Sequence, residues 1–139
     1  MTEEAYSKRL RDYLPEISQK PETRNSELKL LSVGRQFRKD TVKFIIGRNE
    51  HDNKFLAGFK SDPEYTVFET PEEIAGPVVI TRGVLDEEHK KFVAAATAAY
   101  SDGKEMESMD IIITSGNTIS RLAVKPGNKG EITGLRVDF

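Results

Sequence analysis

The chain has no cysteine, only two histidines in 139 residues, and no long apolar run. Each absence removes a class of protein. Without cysteine there is no disulfide scaffold, no thiolate metal site and no cysteine nucleophile, and the composition fits a reducing compartment. No stretch approaches the ~20 consecutive apolar residues of a membrane-spanning helix. The first residues, "MTEEAYSKRL", begin acidic and lack the apolar segment of a secretory signal. A cytoplasmic location and no membrane partner are expected. His51 sits between Glu50 and Asp52, and His89 within "DEEHKK". Two isolated histidines on exposed helical turns do not make four-ligand zinc spacing. No G-x-S-x-G elbow occurs. No phosphate-binding G-x-x-x-x-G-K-[ST] loop occurs either, since "KPGNKGE" has the wrong spacing and no Ser or Thr after its lysine. Neither catalysis nor a metal or cofactor is expected. A carboxylate-based hydrolase or transferase is the residual catalytic alternative.

What remains is a soluble composition, 37% hydrophobic and 32% charged, at a length that suits one domain with its own core. The net charge of −2 conceals an uneven distribution. Residues 28–60 carry a net +5, residues 61–110 a net −8, and residues 111–139 a net +2. Such asymmetry bears on partners more than the total does.

Hydrophobic spacing predicts an α+β chain. Residues 1–14 place Tyr6, Leu10, Tyr13 and Leu14 at helical spacing, and "SQKPETRNSE" reads as a polar linker. An arm over residues 1–26 is therefore expected ahead of a domain over 27–139. "LKLLSVGRQFR" and "TVKFIIG" read as a strand pair turning at Lys39–Asp40. Residues 49–59 read as a helix capped by Asn49, with Phe55, Leu56 and Phe59 on its buried face. "EYTVFE" and "VVITR" are short strands, the second central. Asp86 caps the clearest helix, "EEHKKFVAAATAAYS", whose alanines suit close packing on a sheet. "DIIIT", "ISRLAVK" and "EITGLRV" complete the chain as three more strands in a meander. The expected order is ββαββαβββ: about seven strands in a largely antiparallel or mixed sheet, with two main helices on one face and a short N-terminal helix before them.

The basic segment is the one with a functional signature. Arg35, Arg38, Lys39, Lys43 and Arg48 recur there, with Phe37 and Phe44 interleaved. Arginine forks match phosphate oxygens, and such contacts supply the sequence-independent part of nucleic-acid affinity. The phenylalanines can stack on unpaired bases or fill a core. The cations can equally be a solvated face or a charge-blunted sheet edge. In "IIGRNEHDNKFL" (45–56) a strand stops at Gly47 and a helix begins. Arg48 stands at the positive end of that helix, where a phosphate is favoured, or pairs with Glu50 or Asp52. Asn49 caps the helix, and Asn53 one turn on reaches back to the preceding loop. Arg82, ending a strand before Gly83, is a further candidate contact.

The same stretch resembles the NFACT RNA-binding domain family, which is marked by a strand followed by G-R-N-x-x-x-N, here Gly47, Arg48, Asn49 and Asn53. "GPVVITRG", "AAATAAYSDGK", "DIIIT" and "LAVKPGNKGEITGLRV" resemble further elements of that family in the same order, so the likeness covers roughly residues 28–139. "PEYTVFETPEEIAGPVV" departs from the ribosome quality-control branch, which carries an Asp-Trp-His stretch and a Pro-Gly-x-His turn. "LLSVGRQFR" looks more like the variant at the C-terminus of PP-loop tRNA-thiolation proteins. No S-G-G-x-D-S signature accompanies it, so a catalytic subunit would be a separate chain. The resemblance implies a non-catalytic module that presents tRNA or ribosome-associated RNA, without DNA as a partner. The basic pattern itself, and not the resemblance, makes Arg48, then Arg35 and Arg38, the expected phosphate contacts, with Lys39, Lys43, Asn49, Asn53 and Arg82 as further candidate RNA contacts. The alternative is an adaptor whose acidic segment and N-terminal arm dock a tRNA-modification enzyme.

Overall fold

A computed structural model describes residues 33–83, 85–116 and 118–137. The expected N-terminal helix and linker arm lie outside these residues. In chain order the described elements are β1 (Arg35–Lys39), β2 (Val42–Ile46), α1 (Glu50–Ala57) with a 3-10 turn (Gly58–Ser61), β3 (Tyr65–Glu69), β4 (Val79–Arg82), α2 (Glu87–Ala99), β5 (Met109–Ser115), β6 (Thr118–Val124) and α3 (Lys129–Thr133). The strands form one sheet in the order β1-β2-β4-β3-β5-β6. Every neighbouring pair is antiparallel.

This order makes two interlocked crossovers. β2 and β3 run the same way with β4 between them, and α1 connects them. β4 and β5 run the opposite way with β3 between them, and α2 connects those. Both crossovers step toward the β6 edge. Crossovers between parallel strands are right-handed. Two that step the same way from oppositely directed strands therefore place their helices on opposite faces. The packing agrees. Phe44, Ile46, Phe68, Val79, Ile111 and Ile113 face α2 (Val93, Ala94, Ala96), whereas Ile45, Val67 and Ile80 face α1 (Leu56). The expectation of both helices on one face is thus corrected. Short turns suggested a meander, but the turns join only β1 to β2 and β5 to β6.

The seventh expected strand is corrected too. "EITGLRV" begins inside a helix, α3, capped by Asn128, whose side chain accepts from the Glu131 N–H at 3.0 Å. Asn128 and Glu131 form an N-x-x-E pattern of the capping-box kind. After α3 the chain touches the outer edge of β1. Arg38 N–H donates to Leu135 O and Val137 N–H to Gln36 O, both at 3.0 Å. Between β6 and α3, Gly127 N–H donates to Ala95 O at 3.0 Å. Residues 125–137 therefore cross the outside of α2 from one sheet edge to the other.

α2 lies under this crossing with its small residues Ala94, Ala96, Ala98 and Ala99 buried. Alanine loses no rotamer freedom on burial and lets the backbone come close. The bulk is supplied from the sheet. Phe37 and Phe44 pair across β1 and β2 and stack at 5.1 Å, and they meet Tyr100 and Phe92 of the α2 side edge-on at 6.0 and 6.1 Å. Both phenylalanines are fully buried, so the core reading holds and neither ring is available to a base.

The β1–β2 turn is fastened to the start of α2. Asp40 adopts φ +56, which an aspartate tolerates in a tight turn. His89 bridges Asp86 Oδ1 through Nδ1 at 2.8 Å and Asp40 Oδ2 through Nε2 at 2.9 Å. Its side chain is only 18% exposed, unlike the solvated turn expected from sequence. An imidazolium donates to both carboxylates at once, and a neutral ring donates to one. The Asp40 hydrogen bond is the largest influence on His89; desolvation opposes it, and the Asp86 hydrogen bond with both carboxylate charges adds to it, so the pKa lies above the ordinary 6.5. A raised folded-state pKa contributes stability that is whole below the unfolded value and lost as pH rises through the folded one. The Tm difference between wild type and Asp40→Asn should therefore be largest below about pH 6.5 and shrink toward pH 9. A difference that does not change with pH, measured by thermal denaturation, rules the clasp out.

Candidate nucleic-acid interface

The join between β2 and α1 is a polar knot built around one carboxylate. Asn49, in extended backbone, caps α1 by accepting from the Asp52 N–H at 2.9 Å. This fixes Asp52 in the first turn, where the helix dipole favours an acid. Asp52 Oδ2 accepts from the Gly34 N–H and the Arg48 N–H, each at 3.2 Å, and from Arg48 Nε at 3.0 Å. Asp52 is buried. Burial alone opposes its ionisation, but the Arg48 side-chain hydrogen bond, the Arg48 and Gly34 N–H donors and the Arg48 charge together hold the carboxyl below its ordinary value. The next residue, Asn53, accepts through Oδ1 from the Val78 N–H at 3.0 Å, and Gly47 N–H donates to Val78 O at 3.0 Å. A Cβ on Gly47 would collide with Asn53 Oδ1, so a side chain there would push the Asn53 amide off the Val78 N–H. Gly34 has φ +66, and a Cβ there would lie 2.6 Å from Ile46 O. The G-R-N-x-x-x-N pattern therefore ties the entry of β1, the exit of β2 and the entry of β4 to one helical turn.

Of the expected contacts, Arg48, Asn49 and Asn53 thus carry structural interactions. The others divide between the two faces of the hairpin, because strand side chains alternate. Arg38 and Lys43 pair across the strands on the α1 side. Lys43 is buried, and Arg38 donates to Thr41 O at 3.3 Å. Arg82 lies across the sheet, 3.9 Å from Glu64. Arg35 and Lys39 occupy the α2 side of β1, opposite Ile46 and Val42.

A different grouping emerges on that α2 side. The Arg35 guanidinium lies over the Tyr100 ring at 5.4 Å, and Lys129 Nζ of α3 over the same ring at 4.7 Å. Lys39 Nζ lies over Phe92 at 5.2 Å. Among the described residues no carboxylate lies within ion-pair distance of these three cations. The nearby acids Asp40 and Asp86 are engaged by His89, and Lys60 and Lys90 are matched by Glu69 and Glu87. A ring face orients a cation for roughly 0.5–1 kcal/mol without neutralising it. The charge remains available to an anion. Tyr100 is held in turn by its hydroxyl, 3.2 Å from Thr133 Oγ1.

Sequence reasoning did not find Lys129, Tyr100 or Phe92 as parts of a site. Lys129 reaches the ring only because the closing segment crosses α2. The Asn128–Glu131 capping pattern was the one local signal of that turn. Among the described residues there is no group of three or more His, Asp or Glu placed to hold a metal ion, and no helix long and apolar enough to cross a membrane.

Comparison with known proteins agrees with this architecture. A family model described as the NFACT protein RNA binding domain matches residues 34–135. Among solved structures, the C-terminal part of the fibronectin/fibrinogen-binding protein from Streptococcus suis superposes with a TM-score of 0.64 at 14% identity, covering 96% of this chain and 67% of that one. At that identity the likeness is one of fold. No curated protein sequence matches the chain.

Asp52→Ala should destabilise the domain by about 2 kcal/mol or more, because it strands the Gly34 and Arg48 N–H donors and the Arg48 guanidinium. A depressed folded-state pKa contributes stability above the unfolded value, near 3.9, and loses it as pH falls through the folded one. The gap between wild type and Asp52→Asn in urea titrations should accordingly narrow below about pH 4. A variant as stable as wild type at pH 7 would show the knot to be dispensable.

Proposed function

Because the chain belongs to the NFACT RNA-binding domain family, we propose that it is a non-catalytic module for tRNA or ribosome-associated RNA, with its interface on the α2 side of the β1 edge. The family supports RNA as the partner. The observation that supports this location is the set of three cations, Arg35, Lys39 and Lys129, held on aromatic rings without carboxylate partners among the described residues. Phosphates placed against them release condensed counterions, which drives association and makes it salt-dependent. The rings hold the cations in place beforehand, so less side-chain freedom is lost on binding. Arg48 has a different part. Its pairing with Asp52 fixes the hairpin that carries Arg35 and Lys39, so its loss acts through stability.

A second reading has one specific observation in its favour. β6 is an edge strand among the described residues, and its Ile119 is 72% exposed on the face away from α2. Such an edge suits docking of a separate PP-loop or other tRNA-modification enzyme. In this adaptor reading the complex survives nuclease treatment and is weakened by Ile119→Lys.

The experiment that tests the first reading is fluorescence anisotropy with bulk tRNA and a duplex DNA control, across salt concentration. RNA should bind in preference to DNA, with log Kd linear in log salt and a slope corresponding to about three phosphates. Arg35→Glu combined with Lys129→Glu should weaken RNA binding about tenfold or more with Tm unchanged within a few degrees. Unchanged affinity in that variant places the interface elsewhere, and no binding at low salt removes the reading.

A further inference from the structure

We infer that the RNA this surface accepts is helical: the interface holds the phosphate backbone of a base-paired stem and not a run of unstacked bases. The inference rests on the proposed RNA-binding function and goes further by naming the form of RNA.

The first line of support is the state of the aromatic side chains. Proteins that grip single strands present successive open ring faces, on which bases stack. Here Phe37 and Phe44 are fully buried. Tyr100 and Phe92, the rings closest to the cations, are half-buried and carry Arg35, Lys129 and Lys39 over them. Phe59, on the other side of the sheet, packs against Phe55 and Tyr65 at 5.5 and 4.6 Å. The exposed large hydrophobic side chains among the described residues are Met106 and Ile119, and neither is a ring. A base would stack on the Tyr100 or Phe92 face that carries a cation only by displacing a cation that a phosphate needs. The outer plane of the Arg35 guanidinium is one further platform, and one platform does not hold a run of bases.

The second line is spacing. Arg35 and Lys39 are four positions apart on one strand, about 13 Å at the usual rise. Their rings, Tyr100 and Phe92, are eight positions apart along α2, about 12 Å. The two ends of the cationic row are thus set by a strand and a helix packed together. Phe37 and Phe44 lock between them. Fixed charges at a fixed separation match a partner whose phosphates are themselves fixed, as in an A-form stem. A flexible single strand must lose its own conformational freedom to meet the same points, without stacking in return.

The test uses the full chain and two labelled RNAs of equal length, about 24 nucleotides: a hairpin with a continuous stem, and oligo(U). The hairpin should bind at least about tenfold more tightly at the same salt. Permuting the base pairs of the stem should leave Kd within about twofold, since phosphates carry no sequence. Oligo(U) binding as tightly as the hairpin overturns the inference and leaves the RNA-binding function standing. Strong dependence on stem sequence also overturns it. Failure of both RNAs to bind overturns the function and the inference together. Hairpin binding that survives Arg35→Glu with Lys129→Glu overturns the assignment to this surface.

Discussion

One buried carboxylate holds the first half of the domain in register. Asp52 is placed by the Asn49 cap and accepts hydrogen bonds from the backbone of Gly34 and Arg48 and from the Arg48 side chain. Its acceptor capacity is matched to donors that the fold has already buried or brought together. The negative charge is therefore stabilised where burial alone would disfavour it. Asn53, one residue on, extends the same turn to Val78 at the entry of the central strand β4. Three separate chain segments thus depend on the first turn of one short helix. Eight residues of isolated helix would be marginal in water. Here the helix is kept by what it ties together.

The other face works by a different balance. Alanines bring α2 close to the sheet, and the space at its two ends is filled by rings from both elements. Cations on the rim of that ring row lie over the ring faces. The result is a firmly packed wall with positive charge along its edge. The acids closest to it are drawn off by His89, which uses both ring nitrogens to bind the hairpin turn to the helix start. Packing and electrostatics are then joined in one place. The hairpin that carries Arg35 and Lys39 is positioned by Asp52 from one side and by His89 from the other.

How far the sequence revealed this depended on how local each signal was. The Asn49 and Asp86 caps, the Gly47 turn, the two main helices and the apolar strand at 78–82 followed from residue type and spacing, because one or two turns of backbone decide them. The family resemblance was legible in the same G-R-N stretch. The sheet order was not, since alternation shows which residues share a face and not which strand lies beside which. The side of the sheet that each helix takes follows from that order. "EITGLRV" has strand-like composition, yet Asn128 caps a helical turn there, and Ile132 is buried against α2 instead of in a ladder. Among the basic residues, sequence proximity grouped Arg35 with Arg38 and Arg48. The pleat separates the first two, and Asp52 takes the third. Lys129, over ninety residues away in sequence, shares the Tyr100 ring with Arg35.

The segment that crosses α2 also sets when the domain can be finished. Gln36 and Val137 share a hydrogen bond across about a hundred residues of chain. Until residue 137 has been synthesised, the outer edge of β1 lacks this partner, and the Tyr100 end of the ring row lacks the cover of α3. Without this segment, and among the described residues, the outer edge of β1 would lose the cover of residues 135–137. Cover for the outer edge of β1 and assembly of the Arg35–Tyr100–Lys129 group thus depend on the same crossing segment. A chain shortened before that segment would lose both this strand-edge cover, which guards against pairing with another chain, and the Lys129 part of the basic surface.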